Sequence, residues 1–252
     1  MTTHKNVSDL AVNVLQKIKS SKHISVLTGA GVSAESGVPT FRGEEGLWNN
    51  YRAEELATPQ AFERDPNLVW RWYDWRRTLL APLKPNAGHY ALSQMENFYD
   101  NFTLITQNVD GLHRMAGSKN LVELHGNIWL MRCTAEGTVM ENKNTPLVAM
   151  PPKCNECGGL LRPHIVWFGE SLDEDILTRA FRSAEQCDLF FVIGTSGVVQ
   201  PAASLASIAK QNGAMVIEIN LEPTPISDVA DATLLGPSAK VLPGLLNAMQ
   251  KD

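Results

Sequence analysis

The sequence predicts an α/β fold: a doubly wound parallel sheet with a second, smaller domain. Three observations carry that prediction. A β-branched run, Ile24–Thr28, feeds straight into the small-residue loop Gly29-Ala30-Gly31-Val32-Ser33-Ala34. In that loop Gly29, Gly31 and Ala34 match the G-x-G-x-x-G/A spacing of a dinucleotide-binding turn. Further apolar runs of strand length recur with helical stretches between them. One of these, Leu189-Phe190-Phe191-Val192-Ile193, is apolar throughout, as befits a strand covered on both faces.

Taken in order, Val7, Leu10, Ala11, Val14, Leu15 and Ile18 recur at helical spacing, with Ser8 or Asp9 available as a cap. The strand at 24–28 and its glycine loop follow. Glycine suits the loop because a bulky Cβ would keep the backbone from a pyrophosphate, whose charge amides at a helix start can meet. Residues 44–85 read as a helical insertion, marked by Trp48, Trp70, Trp72 and Trp75 and ended by Pro82. Within it, the stretch from Trp70 to Arg77 is a helix expected to bury Trp72, Trp75 and Leu79.

Strands are expected at Phe102–Thr106, Leu121–Leu124, Leu189–Ile193, Met215–Ile219 and Ala232–Leu235. Residues 129–164 are irregular, with Cys133, Cys154, Cys157 and the pair Pro151-Pro152. Val166-Trp167-Phe168-Gly169-Glu170 alternates like an exposed edge strand. A helix is expected over Pro201–Gln211, with proline in its first turn and Gly213 past its end. The expected division assigns residues 1–43, 86–128 and 165–252 to the sheet domain. Residues 44–85 and 129–164 leave the sheet and fold together over its ligand edge.

A chain of 252 residues that is 44% hydrophobic can bury a full core. Its net charge of −5 argues against a nucleic-acid footprint. The polar start Met1-Thr2-Thr3-His4-Lys5-Asn6 lacks the apolar core of a signal peptide, and no apolar run is long enough to span a membrane. Four cysteines do not suggest a disulfide framework. The expectation is a cytoplasmic monomer that engages neither nucleic acid nor membrane.

One departure bears on function. An ordinary dinucleotide fold places an acidic residue at the end of a second strand, about 20 positions past the fingerprint. Here that region reads Arg42-Gly43-Glu44-Glu45-Gly46-Leu47-Trp48-Asn49-Asn50, which is no strand. The first turn of the fold has been rebuilt, and a hydride-transfer dehydrogenase is disfavoured. Polar clusters do end the other strands: Thr106-Gln107-Asn108-Val109-Asp110, Glu123-Leu124-His125-Gly126, Gly194-Thr195-Ser196 and Asn220-Leu221-Glu222. Ligands of open α/β sheets bind at the carboxyl ends of strands, so these groups can converge on one crevice.

Together with Glu35-Ser36-Gly37 and Pro39-Thr40-Phe41-Arg42, these segments resemble the sirtuins, NAD-dependent protein-lysine deacylases with a Rossmann-like sheet and a small zinc-ribbon domain. The match is nearest to the bacterial and mitochondrial class that removes acidic acyl groups. The resemblance implies that Gly29, Ala30, Gly31, Ala34 and Glu35 line the NAD phosphates and adjoining ribose. It places Phe41, Arg42 and Trp48 in cofactor binding, with Phe41 and Arg42 in a mobile loop. Gln107, Asn108 and Asp110 would surround the nicotinamide and its ribose. Gly194, Thr195, Ser196, Asn220, Leu221, Glu222 and Ser238 would hold the adenosine half.

The same resemblance implies that His125 is the catalytic base, a role an imidazole titrating near neutrality can fill. The acyl oxygen of a modified lysine would attack the nicotinamide ribose and expel nicotinamide, after which His125 would activate a ribose hydroxyl. Free lysine, nicotinamide and O-acyl-ADP-ribose would result. His113, past the polar cluster in a helix-like run, reads as structural. Val166, Phe168, Gly169 and Glu170 would pair with the backbone of an acylated-lysine peptide or protein, a mode that tolerates varied sequences.

Tyr73 and Arg76 are three apart on a helix and share a face. A phenol and a guanidinium fork can bind a carboxylate together. The resembling class carries a Tyr-x-x-Arg pair here for succinyl, malonyl or glutaryl lysine, with deacetylation retained. The family also holds a structural zinc between two cysteine pairs. Cys154-Asn155-Glu156-Cys157 supplies one pair, but Cys133 is followed by Glu136 where the fourth thiolate belongs. Three thiolates with Glu136 or water would bind zinc more weakly; loss of the metal, with packing holding the loop, is equally open. Cys187 reads as core. Two other activities remain on the scaffold: mono-ADP-ribosylation, and non-catalytic sensing of NAD or acyl-peptide.

Overall fold

The computed structural model describes residues 2–4, 7, 12–39 and 51–250. Among the described residues, seven parallel strands make the main sheet. They are β1 (Thr2–His4), β2 (His23–Thr28), β3 (Asn101–Thr106), β4 (Leu121–Glu123), β8 (Leu189–Ile193), β9 (Met215–Asn220) and β10 (Ala232–Leu235). Their order is β1-β10-β9-β8-β2-β3-β4. From β2 the chain steps to β3 and β4 on one side, whereas β8, β9 and β10 extend the sheet on the other. The direction of winding therefore reverses between β2 and β8, where Thr28 pairs with Ile193 and the glycine loop leaves the sheet. Such a switch point opens a crevice at the carboxyl ends of the strands.

The central strand β8 shows why the sheet is buried on both faces. Leu189, Phe191 and Ile193 pack with Ile18 of α1 (Val12–Ser20), Leu92 and Met95 of α6 (Ala87–Met95), and Leu242 and Leu245 of α10 (Ser238–Gln250). Phe190 and Val192 point the other way, onto Ala180 and Ala184 of α8 (Glu174–Gln186) and Leu205 and Ala206 of α9 (Ser204–Gln211). Successive strand side chains alternate between faces, so an unbroken apolar run satisfies both layers. Burying each such side chain is worth about 1.5–3 kcal/mol. Asn86 and Asp173 begin α6 and α8 by accepting amide hydrogens from Gly88 and Asp175 at 2.9 and 3.0 Å.

A third core unites the two segments that interrupt the sheet. α3 (Ala53–Leu56), α4 (Pro59–Arg64) and α5 (Pro66–Leu80) pack on the antiparallel strands β5 (Gly126–Cys133) and β7 (Leu161–Ile165), with β6 (Val139–Glu141) at the edge. Trp70, Trp72 and Tyr73 meet Ile128, Met131 and Trp167 there, and the Trp70 indole donates to the Leu161 carbonyl at 2.7 Å. Two short helices, α2 (Ala30–Ala34) and α7 (Leu112–Met115), complete the elements that shape the site.

Several expectations need correction. Val166–Glu170 is not a strand: β7 ends at Ile165, and the segment turns at Phe168-Gly169, with Gly169 at φ +86°. The helix expected from Pro201 begins at Ser204, and Pro201 lies in the preceding turn. On α5 the buried face carries Trp70, Trp72, Tyr73, Arg77 and Leu80, while Leu79 is exposed and Trp75 only half-buried. Strand β1 had no sequence signal. The proposed caps Ser8 and Asp9, and the cofactor candidates Phe41, Arg42 and Trp48, lie outside the described residues. No helix among the described residues is long and apolar enough to cross a membrane.

Candidate active site

Two glycines at the switch point are required for a reason beyond access to a phosphate. A Cβ on Gly31 would lie 2.8 Å from the Gly194 Cα and 2.8 Å from its carbonyl oxygen. A Cβ on Gly29 would sit 2.7 Å from the Thr195 Cβ. The loop after β2 is thus pressed against the loop after β8, and only hydrogen side chains allow backbone to meet backbone.

From this contact a cleft of about 630 Å³ runs between the strand ends and the smaller core. Gln107, Asn108, Asp110 and His125 line one wall; Tyr73 and Arg76 of α5, with Val166 to Glu170, line the other. The Gln107 amide donates to the Thr195 hydroxyl at 3.0 Å. The Asn108 amide donates to the Gly29 carbonyl at 3.0 Å and to the Ser33 hydroxyl at 3.1 Å. Asp110 is buried and accepts the Leu112 amide at 2.8 Å. Burial pushes its carboxyl upward, and the Leu112 hydrogen bond opposes that in part.

His125 follows β4 and is half-buried in the cleft lining. Its Nδ1 lies 3.0 Å from the Gln107 carbonyl oxygen. A carbonyl can only accept, so the contact places the proton on Nδ1 and leaves the Nε2 lone pair available. Burial lowers the imidazole below its ordinary value, with the Gln107 carbonyl partly restoring it. His125 is therefore neutral at neutral pH, the state a general base requires.

Behind Asn108 lies a buried polar seam. His113 Nε2 is 3.0 Å from the Thr28 hydroxyl, His89 Nε2 is 3.3 Å from Ser33, and the two imidazole rings are 4.7 Å apart. The seam supports the cleft wall, consistent with a structural His113. Sequence reading passed over Ser33 and His89: Ser33 occupied a variable position of the fingerprint, and only the fold brings His89 to it.

The acyl-pocket candidates lie deep. Tyr73 is fully buried, and burial pushes its phenol up to about 12. The Arg76 guanidinium carbon is 4.9 Å from the Trp72 ring centroid and 5.9 Å from that of Tyr73. Phe168 is 56% exposed at the loop turn. Glu170 is engaged with the strand that its loop leaves: its carboxylate takes two hydrogen bonds from Arg162 of β7, at 2.6 and 2.8 Å. Burial alone would raise that carboxyl, but Arg162, the Trp167 amide and Arg132 together outweigh it and the net shift is downward.

The remaining candidates lie along the same sheet edge, outside the cleft lining. Asn220 donates to the Thr195 carbonyl at 2.8 Å, Ser196 is half-buried, and Leu221 and Glu222 are exposed. Glu35 accepts the Ala239 amide at 2.9 Å and the Ser238 hydroxyl at 3.2 Å, so it caps α10 from the glycine loop. Ala34 is exposed beside it. The ligand atoms of Cys133, Glu136, Cys154 and Cys157 all lie within 4.8 Å of one another. Tetrahedral zinc with Zn–S bonds of about 2.3 Å needs ligand atoms a little under 4 Å apart, so donors and spacing fit that ion. None of the four lines the cleft. Cys187 is buried in the sheet core.

Comparison with known proteins bears on this arrangement. A family model described as "Sir2 family" matches residues 29–201. An NAD-dependent protein deacylase of Aquifex aeolicus is 60% identical over 209 residues, covering 83% of this chain and 87% of that protein. A solved Sir2 homologue in complex with NAD superposes with a TM-score of 0.91 at 48% identity, covering 98% of this chain and 96% of the other. A mutant Sir2 homologue in complex with 2′-O-acetyl ADP ribose gives 0.89 at 48% identity, covering 96% and 97%.

Proposed function

The chain belongs to the Sir2 family, and from that premise we propose that it is an NAD-dependent protein-lysine deacylase acting on acetyl-lysine and on lysines bearing acidic acyl groups such as succinyl or malonyl. Acyl-lysine, NAD and one water are consumed, and the products are free lysine, nicotinamide and O-acyl-ADP-ribose. The observation that carries this reading is His125: a neutral imidazole with Nε2 unprotonated, in the same cleft as Asn108, Asp110, Tyr73 and Arg76.

In this reading NAD would supply an electrophilic ribose carbon, which exchanges its bond to nicotinamide for one to the acyl oxygen. The glycine loop and Glu35 sit at the phosphate end, and Thr195, Ser196, Asn220, Leu221, Glu222 and Ser238 at the adenosine end. Asn108 and Asp110 orient the nicotinamide end, where the buried Asp110 carboxyl offers an acceptor to an amide. His125 takes a proton from a ribose hydroxyl through Nε2. Phe168, exposed at its turn, contacts the acyl-lysine of a bound peptide. Cys133, Cys154, Cys157 and Glu136 would hold a structural zinc away from the cleft, with no part in the chemistry.

The acidic-acyl preference is supported by the Tyr73–Arg76 pair in the cleft wall. It is tested by nicotinamide release from matched acetyl- and succinyl-lysine peptides, using wild type and Arg76→Met. Loss of the guanidinium fork is expected to cost the succinyl peptide about tenfold or more relative to the acetyl one. An equal loss on both peptides overturns the preference and leaves the deacylase reading standing.

A further inference from the structure

One hydrogen bond between two buried side chains ties the loop after β7 to α5: the Trp167 indole N–H donates to the Tyr73 phenolic oxygen at 2.8 Å. The indole has little freedom. The Arg162 guanidinium carbon lies 3.5 Å from its ring centroid, and the Phe62 ring is tilted against it at 5.3 Å. Arg162 is itself fixed by the paired contacts to Glu170 and by the Ile165 carbonyl at 3.1 Å. Glu170 returns to accept the Trp167 backbone amide at 2.9 Å. Arg162 of β7, Phe62 of α4 and Glu170 of the loop therefore lock the tryptophan, and the tryptophan engages the tyrosine.

Donor inventory gives this contact a direction. An indole N–H only donates, whereas a phenol carries one proton and two lone pairs. Tyr73 is therefore the acceptor toward Trp167, and its own proton remains to be given elsewhere. Among the described residues no acceptor takes it. Tyr73 lines the cleft beside Arg76.

The geometry points to Trp167 as a specificity-determining positioning residue acting through Tyr73: by filling one acceptor site of the phenol, it turns the phenolic proton toward the carboxylate of an acidic acyl chain held by Arg76. This rests on the acidic-acyl reading above. It assigns Trp167 a part in acyl choice, although the residue touches neither His125 nor the reacting atoms in this scheme. It also accounts for Glu170, whose carboxylate braces Arg162 and the loop.

The test is a double-mutant cycle on the full-length protein, read as the succinyl-to-acetyl ratio of kcat/KM. Trp167→Phe keeps a ring beside Arg162 and Phe62 and deletes the N–H. It is expected to lower the ratio about tenfold, through KM of the succinyl peptide. In a Tyr73→Phe background the same change is expected to leave the ratio where Tyr73→Phe put it, because the phenol it acts through is gone. Benzothienylalanine at position 167 has the shape of tryptophan without the N–H, and reads the same effect if the phenylalanine variant folds poorly. An unchanged ratio in the single variant, or an equal further fall in both backgrounds, overturns the proposal. If Tyr73→Phe and Arg76→Met both leave the wild-type ratio unaltered, the acidic-acyl reading fails and this inference with it. If those two lower the ratio and Trp167→Phe does not, the positioning role alone fails.

Discussion

His125 Nδ1 lies 3.0 Å from the carbonyl oxygen of Gln107, and this one contact settles which ring nitrogen can act as a base. With the proton held on Nδ1, only Nε2 can accept another. Replacing His125 with asparagine should lower nicotinamide release by about 10²–10⁴-fold, the usual contribution of a positioned base. NAD affinity measured by calorimetry should stay within a few-fold. A variant that keeps more than a tenth of wild-type turnover would assign the proton transfer to another group.

The pH profile follows from the same burial. His125 is held below its ordinary value of 6.5 mainly by desolvation, against a smaller opposing effect of the Gln107 carbonyl. In the proposed mechanism the ring acts unprotonated, so kcat/KM should rise with pH and level off, with the acid midpoint below 6.5. An acid midpoint above 6.5 would mean that some other group limits the rate, or that the cleft is wetter than its geometry indicates.

Gly31→Ala tests the contact between the loops after β2 and β8. The added Cβ meets the Gly194 backbone at 2.8 Å, and neither backbone has a flexible end to move aside. Overpacking of this kind costs about 1–3 kcal/mol. Denaturant unfolding should show a loss in that range, and NAD affinity should fall with it, because the same two loops shape the crevice. Alanine tolerated with unchanged affinity would show that the loops can separate.

Much of this arrangement was legible in the sequence because it depends on local patterns. Leu189–Ile193 is apolar at every position and became the most covered strand. The Gln107–Asp110 and His125 clusters follow strands and duly sit at strand ends. The failures are tertiary. Val166–Glu170 alternates as a strand would, yet Trp167 points inward because Tyr73, Phe62 and Arg162 wait for it, and Gly169 then turns the chain. Glu35 and Glu170, expected as ligand contacts, also serve partners within the chain that no local pattern announced: the start of α10 in one case, Arg162 in the other. Nothing local signals that Glu35 caps a helix 204 residues on.

The His89–His113 pair predicts a specific acid sensitivity. Burial lowers His89 from 6.5 to about 4, and His113 is lowered well below 6.5 by burial and by its neighbour. In the unfolded chain both take up a proton near 6.5, whereas the fold resists it. Stability is therefore complete above about pH 6.5 and declines as pH falls from there toward 4. His89 alone accounts for about 2 kcal/mol between pH 7.5 and 5. Urea unfolding at those two values should show at least that loss, and His89→Gln should shrink the difference. A flat response would mean that the seam admits water.

Glu136 is the last test, because it separates a weak metal site from a lost one. Its carboxylate stands with three thiols inside 4.8 Å, and it is exposed where the thiols of Cys133 and Cys154 are buried. A carboxylate is an acceptable zinc ligand but holds the ion less firmly than a fourth thiolate. The purified wild-type chain is expected to carry zinc and to surrender it to a chelator, with a fall in Tm as the metal leaves. Glu136→Cys should retain zinc against at least about ten times more chelator, and Glu136→Ala should release it more readily than wild type. The readouts are zinc per chain and Tm, so deacylase activity need not be assumed. If wild type and Glu136→Ala lose zinc at the same chelator concentration, Glu136 is not a ligand. If neither carries zinc and chelation leaves Tm unchanged, packing of Cys133 and Cys154 holds the loop without a metal.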